Sequence, residues 1–152
     1  MSLDKVIQKN NNVNVKEGMT DDFDFIQYVV DRSQFNGMFL LDKEGNRIVL
    51  IICKALYEGI NNHIEQTGRY FSYNKSCKIV ILTNMDDMYF FADFKTPGVM
   101  DEIPFYKIYF PFIKEQDYDF LELFRRDHLL DNYNELYAKW KEQYINNNCS
   151  TL

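Results

Sequence analysis

Several features that identify common classes of protein are absent from this chain of 152 residues. It has no apolar run near the ~20 residues of a membrane-spanning helix, and residues 1–5 do not form the apolar stretch of a secretory signal. It has no GxxxxGK[ST] loop for nucleotide phosphates and no serine or cysteine in a recognised nucleophile motif. We therefore expect a cytoplasmic protein without a membrane partner.

Cysteine and histidine are also scarce. The three cysteines, Cys53, Cys77 and Cys149, are widely spaced and form no CxxC pair. The two histidines, His63 and His128, have no partner at the spacing of metal ligands. This pattern predicts reduced thiols and gives little support to a zinc or redox site.

Net positive charge is lacking as well, since the formal charge is −6 at pH 7. A nucleic acid would therefore have to bind a local basic patch rather than a generally attractive surface. Hydrophobic residues make up 46% of the chain and aromatic residues 16%, which is too much apolar surface for a disordered polypeptide. We predict one globular domain at 21–146, with flexible polar segments at 1–20 and 147–152.

Short apolar runs alternate with helical patterns, which predicts an α/β fold. Strands are predicted at 25–30, 37–41, 47–53, 78–82 and 88–92, with an edge strand at 105–112 and a hairpin turn at 42–46. The strand at 47–53 is the most apolar and should be central. A helix predicted at 55–71 lies between two strands and indicates a parallel crossover between them.

Two helices are predicted at the end of the chain. The first covers 117–126, and the second follows Asn132, a suitable N-cap with Glu135 three residues later. The last helix carries an apolar stripe at helical spacing, which predicts core packing or contact with a partner. Its members are Tyr133, Leu136, Tyr137, Trp140 and Tyr144.

An ordered series of motifs follows the central strand. Lys54 comes directly after it, Gln66 and Tyr70 have the QxxxY spacing, residues 82–84 read LTN, and residues 100–105 read MDEIPF. This series resembles the N-terminal nuclease domain of the restriction subunit of type I restriction enzymes, in the QxxxY branch of the PD-(D/E)xK nuclease superfamily. The resemblance implies a restriction-endonuclease-like mixed sheet flanked by helices, DNA as the ligand, and Lys54, Gln66 and Tyr70 as site residues.

The two acidic positions of that family are apolar in this chain. The family's Glu falls on Ile52, and its Asp falls near Met38 or, with a shifted alignment, on Asp42 or Asp31. In active members these carboxylates hold Mg²⁺ against the scissile phosphate, while the lysine stabilises charge in the transition state. We therefore expect a DNA-associated domain that is catalytically degenerate and takes no metal cofactor.

Two other interpretations stay open. In the first, the chain is an active Mg-dependent deoxyribonuclease whose acidic residues have moved to other positions, with Glu58 and Asp42 as the candidates. Glu58 precedes Gln66 by two intervals of four residues, so both would lie on one side of the predicted helix. In the second, the chain is a protein-interaction module if the aromatic last helix or the 105–112 edge binds a second copy or other restriction–modification subunits. The sequence does not reveal which form of DNA is bound, or whether the chain is a fragment of a larger translocase subunit.

Overall fold

The computed structural model describes residues 6–8, 13–16, 25–31 and 36–149. In this part of the chain eight strands form one sheet, in which each strand neighbours the next one along the chain. Strands β5 and β6 are parallel, and the other neighbouring pairs are antiparallel. The strands are β1 (Val6–Gln8), β2 (Val13–Lys16), β3 (Ile26–Asp31), β4 (Asn36–Leu41), β5 (Arg47–Cys53), β6 (Ile79–Thr83), β7 (Asp87–Ala92) and β8 (Tyr106–Tyr109).

Three α-helices flank the sheet: α1 (Ile64–Ser72), α2 (Glu115–Glu122) and α3 (Arg126–Cys149). The prediction of an α/β fold with a mixed sheet flanked by helices is therefore confirmed. The predicted parallel crossover is also confirmed, because β5 and β6 pair in parallel and α1 lies between them in the chain.

Described strands and a helix extend into both terminal segments that were predicted to be flexible. Strands β1 and β2 lie within 1–20, the range predicted to be flexible, and the rest of that range is outside the described residues. Helix α3 continues to Cys149, three residues beyond the predicted domain end at 146.

The helix predictions require two corrections. Helix α1 begins at Ile64 rather than at 55, because Gly59 has an extended backbone and only a short 3-10 turn, Ile60–His63, follows it. Helix α3 begins at Arg126, so Asn132 is not its N-cap. The Asn132 side-chain amide instead donates to the main-chain oxygen of His128 within the helix, at 3.0 Å.

The β8 region is shorter than predicted. The strand ends at Tyr109, and a 3-10 turn, Phe110–Phe112, follows it in place of the predicted strand end. Pro111 lies in this turn and cannot donate a ladder hydrogen bond.

The two faces of the sheet bury separate apolar cores. The α1 face buries Phe39, Leu50, Ile52, Phe71, Val80, Leu82 and Phe91. The opposite face packs against α2 and α3 and buries Val49, Ile79, Ile81, Phe90, Ile108, Phe120, Leu129, Leu136, Trp140 and Tyr144. The aromatic stripe of α3 is thus core, one of the two roles predicted for it. Among the described residues, no helix is both long and apolar enough to cross a membrane.

Candidate nucleic-acid site

The predicted site residues meet at the carboxyl ends of the parallel strands β5 and β6. The Nζ atom of Lys54 donates to Oε1 of Gln66 at 3.3 Å, and Nε2 of Gln66 makes a long contact of 3.5 Å to the hydroxyl of Tyr70. The main-chain N–H of Lys54 donates to the main-chain oxygen of Thr83 at 2.8 Å, which fixes the lysine to the end of β6. The structure therefore brings Lys54, Gln66 and Tyr70 into one cluster.

Helical spacing explains why α1 can supply two members of this cluster. Gln66 and Tyr70 are four residues apart and so lie on the same side of the helix. Tyr70 packs against the apolar core of the α1 face, while Lys54 is half-buried. The lysine stem can therefore be covered by protein while its ammonium group reaches the polar edge of the sheet.

The Thr83–Asn84 motif forms the turn that supports this site. Buried Asn84 accepts hydrogen bonds from the N–H groups of Asp86 and Asp87, at 3.2 and 2.8 Å. Its side-chain amide donates to the main-chain oxygen of Glu58 at 2.8 Å. The motif thus joins the β6–β7 turn to the loop that follows Lys54.

Ile52, which the resemblance aligns with the family's Glu, is part of the apolar core. It is 1% exposed and lies between Gly37 on β4 and Leu82 on β6. Met38, the residue predicted to replace the family's Asp, pairs with Ile51 and so lies on the opposite face of the sheet from Ile52. The residue beside Ile52 on β4 is therefore Gly37 rather than Met38.

Asp42 is not a migrated site residue. It lies in the β4–β5 hairpin, at the opposite end of β5 from Lys54. Its carboxylate accepts hydrogen bonds from the N–H of Glu44 at 3.0 Å and from the N–H of Asn46 at 2.7 Å. A seven-residue strand separates the two sites by roughly 20 Å, so the role of Asp42 is to close the hairpin. Asp31, the other acid considered, ends β3.

Glu58 lies in the loop between Lys54 and α1, and its carboxylate has a partner there. Its Oε2 is 3.1 Å from Nε2 of His63, the residue directly before α1. His63 is three residues before Gln66, so this pair lies at the end of the helix that faces the site. No role for His63 could be predicted from the sequence, because the turn at Gly59 brings its partner Glu58 close to it. Within the described ranges, no three His, Cys, Asp or Glu side chains are grouped so that they could hold a metal ion.

Strand register adds two residues to the same face of the sheet. Ile52, Leu82, Tyr89 and Lys107 form one row across β5, β6, β7 and β8. The ammonium group of Lys107 lies 4.8 Å from the ring centroid of Tyr89. Burial, and then the negative charge of Asp87, raise the pKa of the Tyr89 hydroxyl above its ordinary value. The alternation of side chains along β7 and β8 is the sequence signal that could have placed these residues on the site face.

Comparisons of the chain with protein-family models, with curated proteins and with solved structures found no match.

Proposed function

We propose that this chain is a restriction-endonuclease-like domain that contacts the DNA backbone through Lys54 and does not cleave it. The observation that carries the proposal is the cluster at the end of β5, where the Lys54 ammonium is bonded to the neutral amide of Gln66 while Ile52 is buried two residues earlier. A neutral partner leaves the positive charge of the lysine available for a phosphate, whereas a carboxylate partner would compensate it.

The same cluster argues against cleavage. A divalent metal in a nuclease needs several oxygen ligands to polarise the phosphate and generate a nucleophile. Ile52 offers a hydrocarbon side chain at the family's Glu position, and Gly37 offers no side chain beside it. Glu58, the remaining candidate for a migrated acid, is paired with His63. These contacts favour a binding function over an active Mg-dependent deoxyribonuclease.

The proposal includes DNA as the partner and a cytoplasmic location, as predicted from the sequence. Two described cysteines, Cys53 and Cys77, are free thiols, which is common in proteins of reducing compartments. The proposal does not require a second copy of the chain or a restriction–modification subunit, because all three residues of the cluster come from one chain.

The test is equilibrium binding of a labelled DNA duplex, measured by fluorescence anisotropy in EDTA and low salt. Lys54→Met should weaken binding by about 10- to 150-fold, because a hydrogen bond to a charged group contributes about 1.5–3 kcal/mol. It should also reduce the slope of log affinity against log salt by about 0.9, the contribution of one phosphate contact.

Lys75→Met is the matched control. Lys75 is exposed in the turn before β6, at the opposite end of the parallel strands from Lys54. Lys75→Met removes the same charge as Lys54→Met, so DNA binding should be unchanged if the effect at Lys54 is local. Equal weakening by both substitutions, or no DNA binding by the unaltered protein, would contradict the proposal.

A further inference from the structure

An exposed aromatic surface lies on the last strand and the turn after it, on the sheet face that also carries Ile52. Lys107 and Tyr109 are two residues apart on β8 and so lie on the same face of the sheet as Tyr89 and Ile52. Phe112 follows in the 3-10 turn, with its ring centroid 5.7 Å from that of Tyr109. We call these four residues, Tyr89, Lys107, Tyr109 and Phe112, the aromatic shelf.

The shelf is open to solvent although most aromatic side chains of this protein are packed inside. Tyr109 is 47% exposed and Phe112 is 76% exposed. Both line a concavity of about 570 Å³ at the β8 edge, together with Lys107 and Lys114. Two adjacent exposed rings beside two lysines indicate a ligand with both apolar faces and negative charge.

Two lysines and two aspartates line the concavity. Lys107 is held above the ring of Tyr89, and Lys114 is exposed. Asp117 also lines the concavity, but its carboxylate accepts hydrogen bonds from the Tyr106 hydroxyl at 2.7 Å and from the main-chain N–H of Lys114 at 2.9 Å. Asp87 lines it too and lies beside Tyr89, so its charge opposes an anion there.

We infer that the aromatic shelf binds single-stranded nucleic acid, with bases stacked on Tyr109 and Phe112 and the backbone running from Lys107 toward Lys54. This inference rests on the proposed DNA contact at Lys54 and specifies its ligand. Three strand spacings separate β5 from β8, roughly 14 Å, and a stacked strand covers that length with about four nucleotides at 3.4 Å each. A duplex does not fit the aromatic rings as well, because its base faces are already stacked within the helix.

The test compares two labelled single strands in EDTA: an oligothymidine of about 12 nucleotides, within the ~4–16 that single-strand sites cover, and an abasic strand of the same length. Stacking predicts weaker binding of the abasic strand, which keeps the phosphates and lacks the bases. Phe112→Ser and Tyr109→Ser should each weaken oligothymidine binding by about 5- to 150-fold, the range for loss of one stacked base. Both should leave binding of the abasic strand unchanged.

Three further variants complete the experiment. Tyr118→Ser is the matched control, since Tyr118 is 57% exposed on α2 and does not line the concavity. Lys107→Met should reduce the salt slope by about 0.7, the single-strand value for one phosphate. Asp87→Asn should tighten binding because it removes the opposing charge. All five positions are exposed or half-buried, and far-UV circular dichroism verifies that each variant is folded.

Two results would overturn the inference. The first is equal affinity for oligothymidine and the abasic strand, or oligothymidine binding that Phe112→Ser and Tyr109→Ser do not change. If duplex binding still depends on Lys54 in that case, the proposed function stands. If neither the stacking-dependent binding of the single strand nor the Lys54-dependent binding of the duplex is observed, the proposed function is refuted as well. The second is a dimer in light scattering that Phe112→Ser converts to monomer, which would assign the shelf to a second copy of the chain.

Discussion

Replacement of Asn84 by alanine tests how the candidate site is built. Asn84 is 5% exposed, and its side chain makes three hydrogen bonds: it accepts from the N–H groups of Asp86 and Asp87 and donates to the main-chain oxygen of Glu58. At a net contribution of about 0.5–1.5 kcal/mol for each bond, Asn84→Ala should lower the free energy of unfolding by about 1.5–4.5 kcal/mol. The loop after Lys54 loses its tie to the β6–β7 turn, so DNA affinity should fall as well.

The assay is urea denaturation followed by circular dichroism, with DNA anisotropy on the same samples. For a slope near 2 kcal/mol per molar urea, the midpoint should fall by roughly 1–2 M. Asn132→Ala is the matched control, because Asn132 is exposed on α3 and makes one local bond to His128, so its cost should stay within about 0.5 kcal/mol. Equal stability of Asn84→Ala and the unaltered protein would refute this account of the turn.

Three other variants test separate parts of the structure. Ile52→Glu combined with Gly37→Asp places two carboxylates side by side on β5 and β4, so Mn²⁺ should raise the melting temperature of this double variant but not of the Ile52→Gln, Gly37→Asn control. The hydrogen bond from the main-chain N–H of Lys114 is the larger cause that holds the pKa of Asp117 below its ordinary 3.8, and the hydrogen bond from the Tyr106 hydroxyl is the second. Because the folded-state pKa is the lower one, this stabilisation is present above about pH 4 and is lost as pH falls through the folded-state value. The stability difference between the unaltered protein and Asp117→Asn, measured by urea denaturation, should therefore shrink from about pH 7 to pH 3, and a difference independent of pH would contradict the assignment. Trp140→Ala should cost about 3–5 kcal/mol in thermal or urea unfolding, because Trp140 is 5% exposed in the α3 core; a loss below 1 kcal/mol, as for a surface residue, would mean that the stripe of α3 is not core.

The parts of the fold that were predictable depend on local pattern. The apolar run of β5 gave its bounds at 47–53, and the four-residue spacing of Gln66 and Tyr70 placed both on one side of a helix. Lys54 follows the end of that apolar run, and its assignment to one site with Gln66 and Tyr70 was what the resemblance implied. These three positions needed no knowledge of distant contacts.

The parts that were missed depend on tertiary contacts. The start of α1 depends on the turn at Gly59 and on the bond from Asn84 to the Glu58 oxygen, 26 residues apart, which apolar periodicity does not report. Asn132 is a residue type that is common at helix N-caps, but it lies inside α3, where packing of Leu129 extends the helix. The 105–112 edge was predicted as a possible interaction surface, but the exposure of Phe112 could not be predicted because it depends on where β8 ends.

Incubation of the purified protein with DNA and divalent metal tests the central claim most directly. Plasmid and single-stranded DNA would be incubated with the unaltered protein in excess Mg²⁺ or Mn²⁺ and followed by gel electrophoresis, with Lys54→Met as the parallel sample. Because the residue two positions before Lys54 is Ile52, which is buried and has no oxygen to ligate a metal, both DNA substrates should remain intact at protein concentrations that saturate binding. Cleavage that requires the metal and disappears in Lys54→Met would contradict the account and identify the domain as an active nuclease.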